Sequence, residues 1–109
     1  VTRLIAAALV GLALLSAPSR ADSIADARAA VAAKLKDPAS ARFENIRAQR
    51  RPNAKGEIWD VVCGNVAAKN SFGGYASPAP FAYIVPTRTA FIADGAAPEA
   101  GFVIERFCR

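Results

Sequence analysis

The chain has 109 residues, with 14 Lys+Arg against 9 Asp+Glu, no His, no Met and two Cys, for a formal net charge of +5. Without histidine there is no Ser-His-Asp or Cys-His pairing and no imidazole metal ligand, and two cysteines alone do not close a structural zinc site, so neither a metal nor a cofactor is expected. The length suits one small domain and leaves no room for a nucleotide-binding fold beside a substrate domain.

The first 21 residues read as a secretory signal peptide. Thr2-Arg3 form a short basic start, Leu4 to Leu15 an apolar run of 12 residues, and Ser19 and Ala21 occupy the −3 and −1 positions of a small-residue cleavage site before Asp22. As a helix that run rises about 18 Å, short of the roughly 30 Å hydrocarbon core of a membrane. No stable membrane span is therefore expected after cleavage. The mature chain, residues 22–109, loses Arg3 and Arg20 and carries a net charge of +3. Export places both thiols in an oxidising compartment, and a small core commonly needs a staple, so Cys63 and Cys108 are expected to be disulfide-bonded. A loop of this length carries about 4 kcal/mol in the chain-entropy model, an upper-end figure.

Ser23 can cap a helix over Ile24–Lys36, with Ile24, Ala27, Val31 and Leu35 on one face and Lys34 and Lys36 in the last turn. Asp37-Pro38 stop it and start one further turn, Asp37 as cap. Phe43–Gln49 reads as a half-buried strand in which Glu44, Ile46 and Ala48 share a face and Arg47 and Gln49 oppose them. Arg50–Gly56 reads as a turn. Ile58–Ala68 is the central strand, apolar on both faces, with Ile58, Val62 and Val66 against Trp59, Val61 and Cys63; one face is expected under a helix and the other against a rim or partner. Lys69–Pro80 is a Gly/Ser/Asn/Pro loop. Phe81–Val85 and Ala90–Ala93 pair as a hairpin around Pro86–Thr89. Val103-Ile104 favours a strand in the tail, but Pro98-Glu99 followed by Phe102, Glu105, Arg106 and Cys108 tips it toward a helix.

Three features could carry chemistry. Lys69-Asn70-Ser71-Phe72-Gly73-Gly74-Tyr75 combines two glycines with a cation, an amide and two hydroxyls, which suits close approach of a ligand and equally suits a loop bonded to its own backbone, pinned to the sheet by Phe72 and Tyr75. Walker spacing is absent, so it is not a phosphate loop. Arg42, Arg47, Arg50, Arg51 and Lys55, offset by Glu44, could meet a polyanion or simply protect an edge strand. Glu57 and Asp60 near Trp59 are two carboxylates, but on opposite sides of a strand.

The segments Leu35-Lys36-Asp37-Pro38-Ala39-Ser40-Ala41-Arg42-Phe43 and Val62–Tyr75 (VCGNVAAKNSFGGY), with Pro80-Phe81 and Phe107-Cys108, resemble a group of small exported bacterial proteins. The resemblance spans most of the mature chain. It implies the same order of helix, sheet and terminal cysteine, and brings no activity or catalytic residue.

The sequence thus leads to an α+β domain over residues 22–109, with an N-terminal amphipathic helix on an antiparallel sheet of about four strands and one disulfide. The function expected is a non-catalytic periplasmic or secreted binding domain, contacting another envelope protein or surface component through Lys69, Asn70, Ser71 and Tyr75, with Gly73 and Gly74 shaping the loop. Nucleic acid is not expected as a partner of an exported protein. The alternatives are a small exported hydrolase using carboxylate, Ser or Lys groups, and a polyanion-binding module.

Overall fold

The computed structural model describes residues 19–109; the apolar run Leu4–Leu15 lies outside them. The first helix, α1 (Arg20–Ala32), starts earlier than its apolar pattern suggests. Ser19, not Ser23, is the cap: its Oγ accepts from the Asp22 N–H at 3.1 Å. Ser23 is instead buried inside the helix with Ala27 and Val31, a spacing of four that lays a narrow stripe of small side chains against the sheet. The helix ends at Ala32, so Lys34 and Lys36 fall in the turn after it. Pro38 disfavours helical backbone only at Asp37, so it does not by itself set an end at Ala32. The chain unwinds ahead of it through tighter bonds, Lys34 N–H to Val31 O and Leu35 N–H to Ala32 O, both 3.0 Å. Pro38–Ser40 then make the expected extra turn, but the Asp37 carboxylate does not cap it. The Asp37 carbonyl accepts from Ser40 Oγ at 2.8 Å instead.

Strand β1 (Arg42–Pro52) runs through the arginines expected in a turn. The turn itself is only Asn53–Glu57, where the buried Asn53 side chain does the work of closure: Oδ1 accepts from the Lys55 and Glu57 N–H groups at 2.9 Å each, and Nδ2 donates to Glu57 Oε1 at 2.8 Å. With its bonds met locally, the turn needs no help from Arg50 and Arg51, which continue the ladder opposite Asp60 and Trp59. A bulge interrupts β1 between Glu44 and Arg47, with Asn45 at φ 53°. The extra residue resets the alternation, so Phe43 and Ile46, three apart, both pack on the α1 side.

β2 (Ile58–Ala67), β3 (Ala79–Ile84) and β4 (Thr89–Ile92) complete a four-stranded antiparallel sheet in the order β1-β2-β3-β4. The tail is a helix, α2 (Glu99–Cys108). The two faces of β2 divide as its sequence indicates. Val62 and Val66 join Ala27, Val31, Phe81, Tyr83, Ala90 and Ile92 beneath α1. On the other face Val61 and Cys63 meet Ala82, Ile84, Ile104 and Phe107 beneath α2. The second face is therefore covered by the chain's own C-terminal helix, where a rim or partner was expected. Cys63 and Cys108 are bonded, with Cα atoms 5.7 Å apart, which ties the last turn of α2 to the middle of β2.

Gly64 sits directly opposite Phe81 across the β2–β3 ladder, and a Cβ on it would stand 2.9 Å from the Phe81 ring and 3.1 Å from the Glu44 carbonyl. The fully buried Phe81 ring thus lies over bare backbone and meets Phe43 edge-to-face at 5.7 Å. Gly64→Ala is expected to lower stability in a denaturant titration by about 1–3 kcal/mol, the usual cost of overpacking a filled core. Reduction of the Cys63–Cys108 bridge, which closes a separation of 45 residues, is expected to lower stability by about 2–5 kcal/mol, measured by melts with and without reductant.

Candidate functional site

Two surfaces stand out, at opposite ends of β2. At its C-terminal end the residues singled out in the sequence form a short β-hairpin. Lys69 and Tyr75 bridge in antiparallel fashion, and the Ala76 N–H donates to the Ala68 carbonyl at 3.1 Å. The tip is closed by Asn70: its N–H donates to Gly74 O at 2.8 Å, its carbonyl accepts from Gly73 N–H at 3.1 Å, and its Oδ1 accepts from Phe72 N–H at 2.9 Å and Gly74 N–H at 3.2 Å. Gly73, at φ 84°, takes the left-handed conformation that lets the chain return. Gly74 has ordinary φ and open space around it.

Tyr75 anchors the hairpin to the 3₁₀ turn and to Arg42 at the start of β1. Its hydroxyl donates to the Ser40 carbonyl at 2.9 Å, while Ser40 Oγ accepts from the Lys69 N–H at 2.9 Å. The Arg42 guanidinium lies 3.8 Å from the Tyr75 ring centroid. Lys36 donates to Ser71 Oγ at 3.3 Å. Phe72, expected to pin the loop, does not pack at all: it is 97 % exposed at the tip. Asn70 and Tyr75 are thus used in holding the loop's shape, and Lys69, Ser71 and Phe72 are presented to solvent.

At the N-terminal end of β2 lies a groove of about 570 Å³ that the sequence reading did not identify. Trp59 and Phe107, stacked with centroids 6.0 Å apart, form its floor with Val103, and Ala54 and Phe102 line its sides. Phe102 is 78 % exposed. Lys55 and Arg106 stand at its rim, neither ion-paired among the described residues, while the Glu57 carboxylate at the same rim is engaged by Asn53. Trp59 beside Glu57 was the legible part. Phe102 and Arg106 arrive from more than 40 residues away on α2, and no local pattern announces that contact.

The structure does not gather the five basic residues into one patch. Arg42 stacks on Tyr75, and Arg50 pairs with Asp60 at 3.4 Å on an exposed surface. Arg47 donates to the Cys108 carbonyl at 3.1 Å, next to Gln49, which donates to the Phe107 carbonyl at 2.8 Å. Those two carbonyls belong to the last turn of α2, where a cation and an amide satisfy acceptors that have no partner within the helix. Of the five, only Lys55 joins the groove. Glu57 and Asp60 do not converge either: one is bonded to Asn53, the other to Arg50 on the neighbouring strand. Among the described residues no group of three or more Cys, Asp and Glu could hold a metal ion.

Gly73→Ala is expected to cost about 1–2 kcal/mol in a denaturant titration, the penalty of left-handed backbone for a residue with a Cβ. Gly74→Ala is expected to stay within about 0.5 kcal/mol, because neither φ nor space opposes it. Tyr75→Phe is expected to cost about 0.5–1.5 kcal/mol for the lost bond to Ser40. Comparisons with family models, with curated proteins and with solved structures find no match, so the functional reading rests on these two surfaces.

Proposed function

We propose that the chain is a non-catalytic binding domain, exported to the periplasm or beyond, whose groove over Trp59 takes an apolar or aromatic molecule carrying an anionic group. The observation that carries this reading is the groove itself. Its volume of about 570 Å³ lies within the range of small-molecule sites, roughly 300–1,000 Å³. Its lining includes two stacked aromatic rings, and its charged groups are Lys55, Arg106 and the Glu57 carboxylate held by Asn53, a net charge of +1. An apolar body would cover the Trp59, Val103 and Phe107 surface, and a carboxylate or sulfonate would meet Arg106 and Lys55, the first offering a planar two-point donor.

Stability supports the same assignment. The groove is built on elements fixed by the disulfide and by the Gln49 and Arg47 bonds to the end of α2, so its walls are set before a ligand arrives. The hydrolase alternative needs a convergent acid, base or nucleophile; the carboxylates available to it, Glu57 and Asp60, are separately engaged. No observation favours it.

Titration with anilinonaphthalene sulfonate, an aromatic anion that fluoresces in apolar sites, is the direct test, followed by competition with dodecanoate. Saturable one-to-one binding is expected, with quenching of Trp59. Phe102→Ala and Arg106→Ala are each expected to weaken it about tenfold, a loss of about 1.4 kcal/mol, while melts stay within about 0.5 kcal/mol because both side chains are exposed. Absence of saturable binding, or binding indifferent to both substitutions, would remove the groove as a ligand site.

A further inference from the structure

We propose that the 69–75 hairpin docks the protein onto an anionic membrane surface, with Phe72 entering the headgroup region and the surrounding cations meeting lipid phosphates. This is independent of the groove, which lies at the other end of β2.

Two observations that do not depend on each other point the same way. The first is Phe72, an apolar ring 97 % exposed at the apex of a hairpin whose backbone is held by four Asn70 bonds and by the Tyr75 anchor. These bonds fix the backbone of the tip, and the ring it carries stands in solvent. The second is the charge around it. Lys36 reaches Ser71 on the hairpin, Lys69 lies at its base, and Arg42 covers Tyr75. Lys34, Lys36 and Lys69 also line one shallow depression beside the hairpin, of about 340 Å³, with Asp94 as its acid. Glu99 lines a second depression with Lys34, and Asp37 and Glu44 lie close in the chain to Lys36 and Arg42. None of the four cations is ion-paired among the described residues, so their charge is available.

An exposed aromatic ring ringed by unpaired cations matches the two terms of interfacial binding, apolar burial at the acyl boundary and attraction to anionic headgroups. A soluble polyanion would use the cations and leave Phe72 in water, and a lipid surface uses both. Among the described residues no helix is long and apolar enough to cross a membrane, so the contact proposed is peripheral.

The test is co-sedimentation of the full mature chain with vesicles of phosphatidylglycerol and phosphatidylethanolamine, against vesicles of phosphatidylcholine alone and against dextran sulfate. Binding to the anionic vesicles only is expected. Phe72→Ala and the double variant Lys36→Ala/Lys69→Ala are each expected to weaken it about tenfold or more, with thermal melts unchanged. Phe102→Ala, in the groove, is expected to leave it intact. Phe72→Trp is expected to gain a fluorescence signal quenched by brominated lipid, over and above that of Trp59. No binding to anionic vesicles overturns the proposal. So does binding unaffected by Phe72→Ala, binding lost in Phe102→Ala, or dextran sulfate binding that persists in Phe72→Ala without any vesicle binding.

Discussion

Midway along β2, two adjacent residues face opposite ways and hold the two halves of the fold. Cys63 points to α2 and is bonded to Cys108; Gly64 points toward α1 and leaves room for the Phe81 ring. Each is small in a way its face demands. A Cβ at 64 would crowd the Phe81 ring and the Glu44 carbonyl, and any other residue at 63 would leave the last turn of α2 without its covalent tie, held by apolar contacts and by the Gln49 and Arg47 bonds. A sheet of four strands in so short a chain exposes a large apolar area on both faces, and neither helix alone covers it. This pair of neighbours allows both helices to pack on the sheet at once.

Closure by α2 has a consequence for polar groups. A helix ending against a sheet leaves its last carbonyls without partners, and β1 supplies them through Gln49 and Arg47. The same residues therefore close the C-terminal end of α2 and fix its direction across the sheet. That direction brings Phe102 and Arg106 alongside Trp59 and Lys55, which is how a helix needed for burial also makes a groove. The groove and the packing of the fold share their supports here. Changes at Gln49, Arg47 or the disulfide would reach the groove without touching it.

The hairpin at the other end of β2 shows the opposite economy. It contributes nothing to either apolar cluster, yet it is tied down by Asn70, Ser40 and Tyr75. Ordering a short polar loop costs conformational freedom, and here no buried apolar side chain offsets it. What the ordering achieves is a fixed presentation of Phe72, Lys69 and Ser71 to solvent. That is how loops on a rigid scaffold commonly serve recognition.

Much of the fold follows from local pattern. The two-sided apolarity of β2, the hairpin of β3 and β4, the extra turn at Pro38 and the expected Cys63–Cys108 pairing are properties of neighbouring residues or of a short inventory, and the chain can hardly satisfy them in another way. That the Lys69–Tyr75 block bonds to its own backbone was also legible, from glycines placed among polar side chains. Local pattern was insufficient where a distant contact decides the outcome. Ser19 rather than Ser23 caps α1 because burial against the sheet needs a small residue at 23. The β1 arginines stay in the strand because Asn53 closes the turn by itself. Phe43 and Ile46 share a face only because a bulge intervenes, and alternation read along the sequence has no means of counting an extra residue that the partner strand lacks. The groove depends most on the fold, since Trp59 and Phe102 are ordinary apolar residues until α2 is laid across β2. The sequence by itself determined the order and type of the main elements and the disulfide; the tertiary structure alone decided where α1 and β1 end, that residues 69–75 form a hairpin, which side chains of α2 meet Trp59 and which cations stay unpaired, because these depend on how far and at what angle packed layers approach.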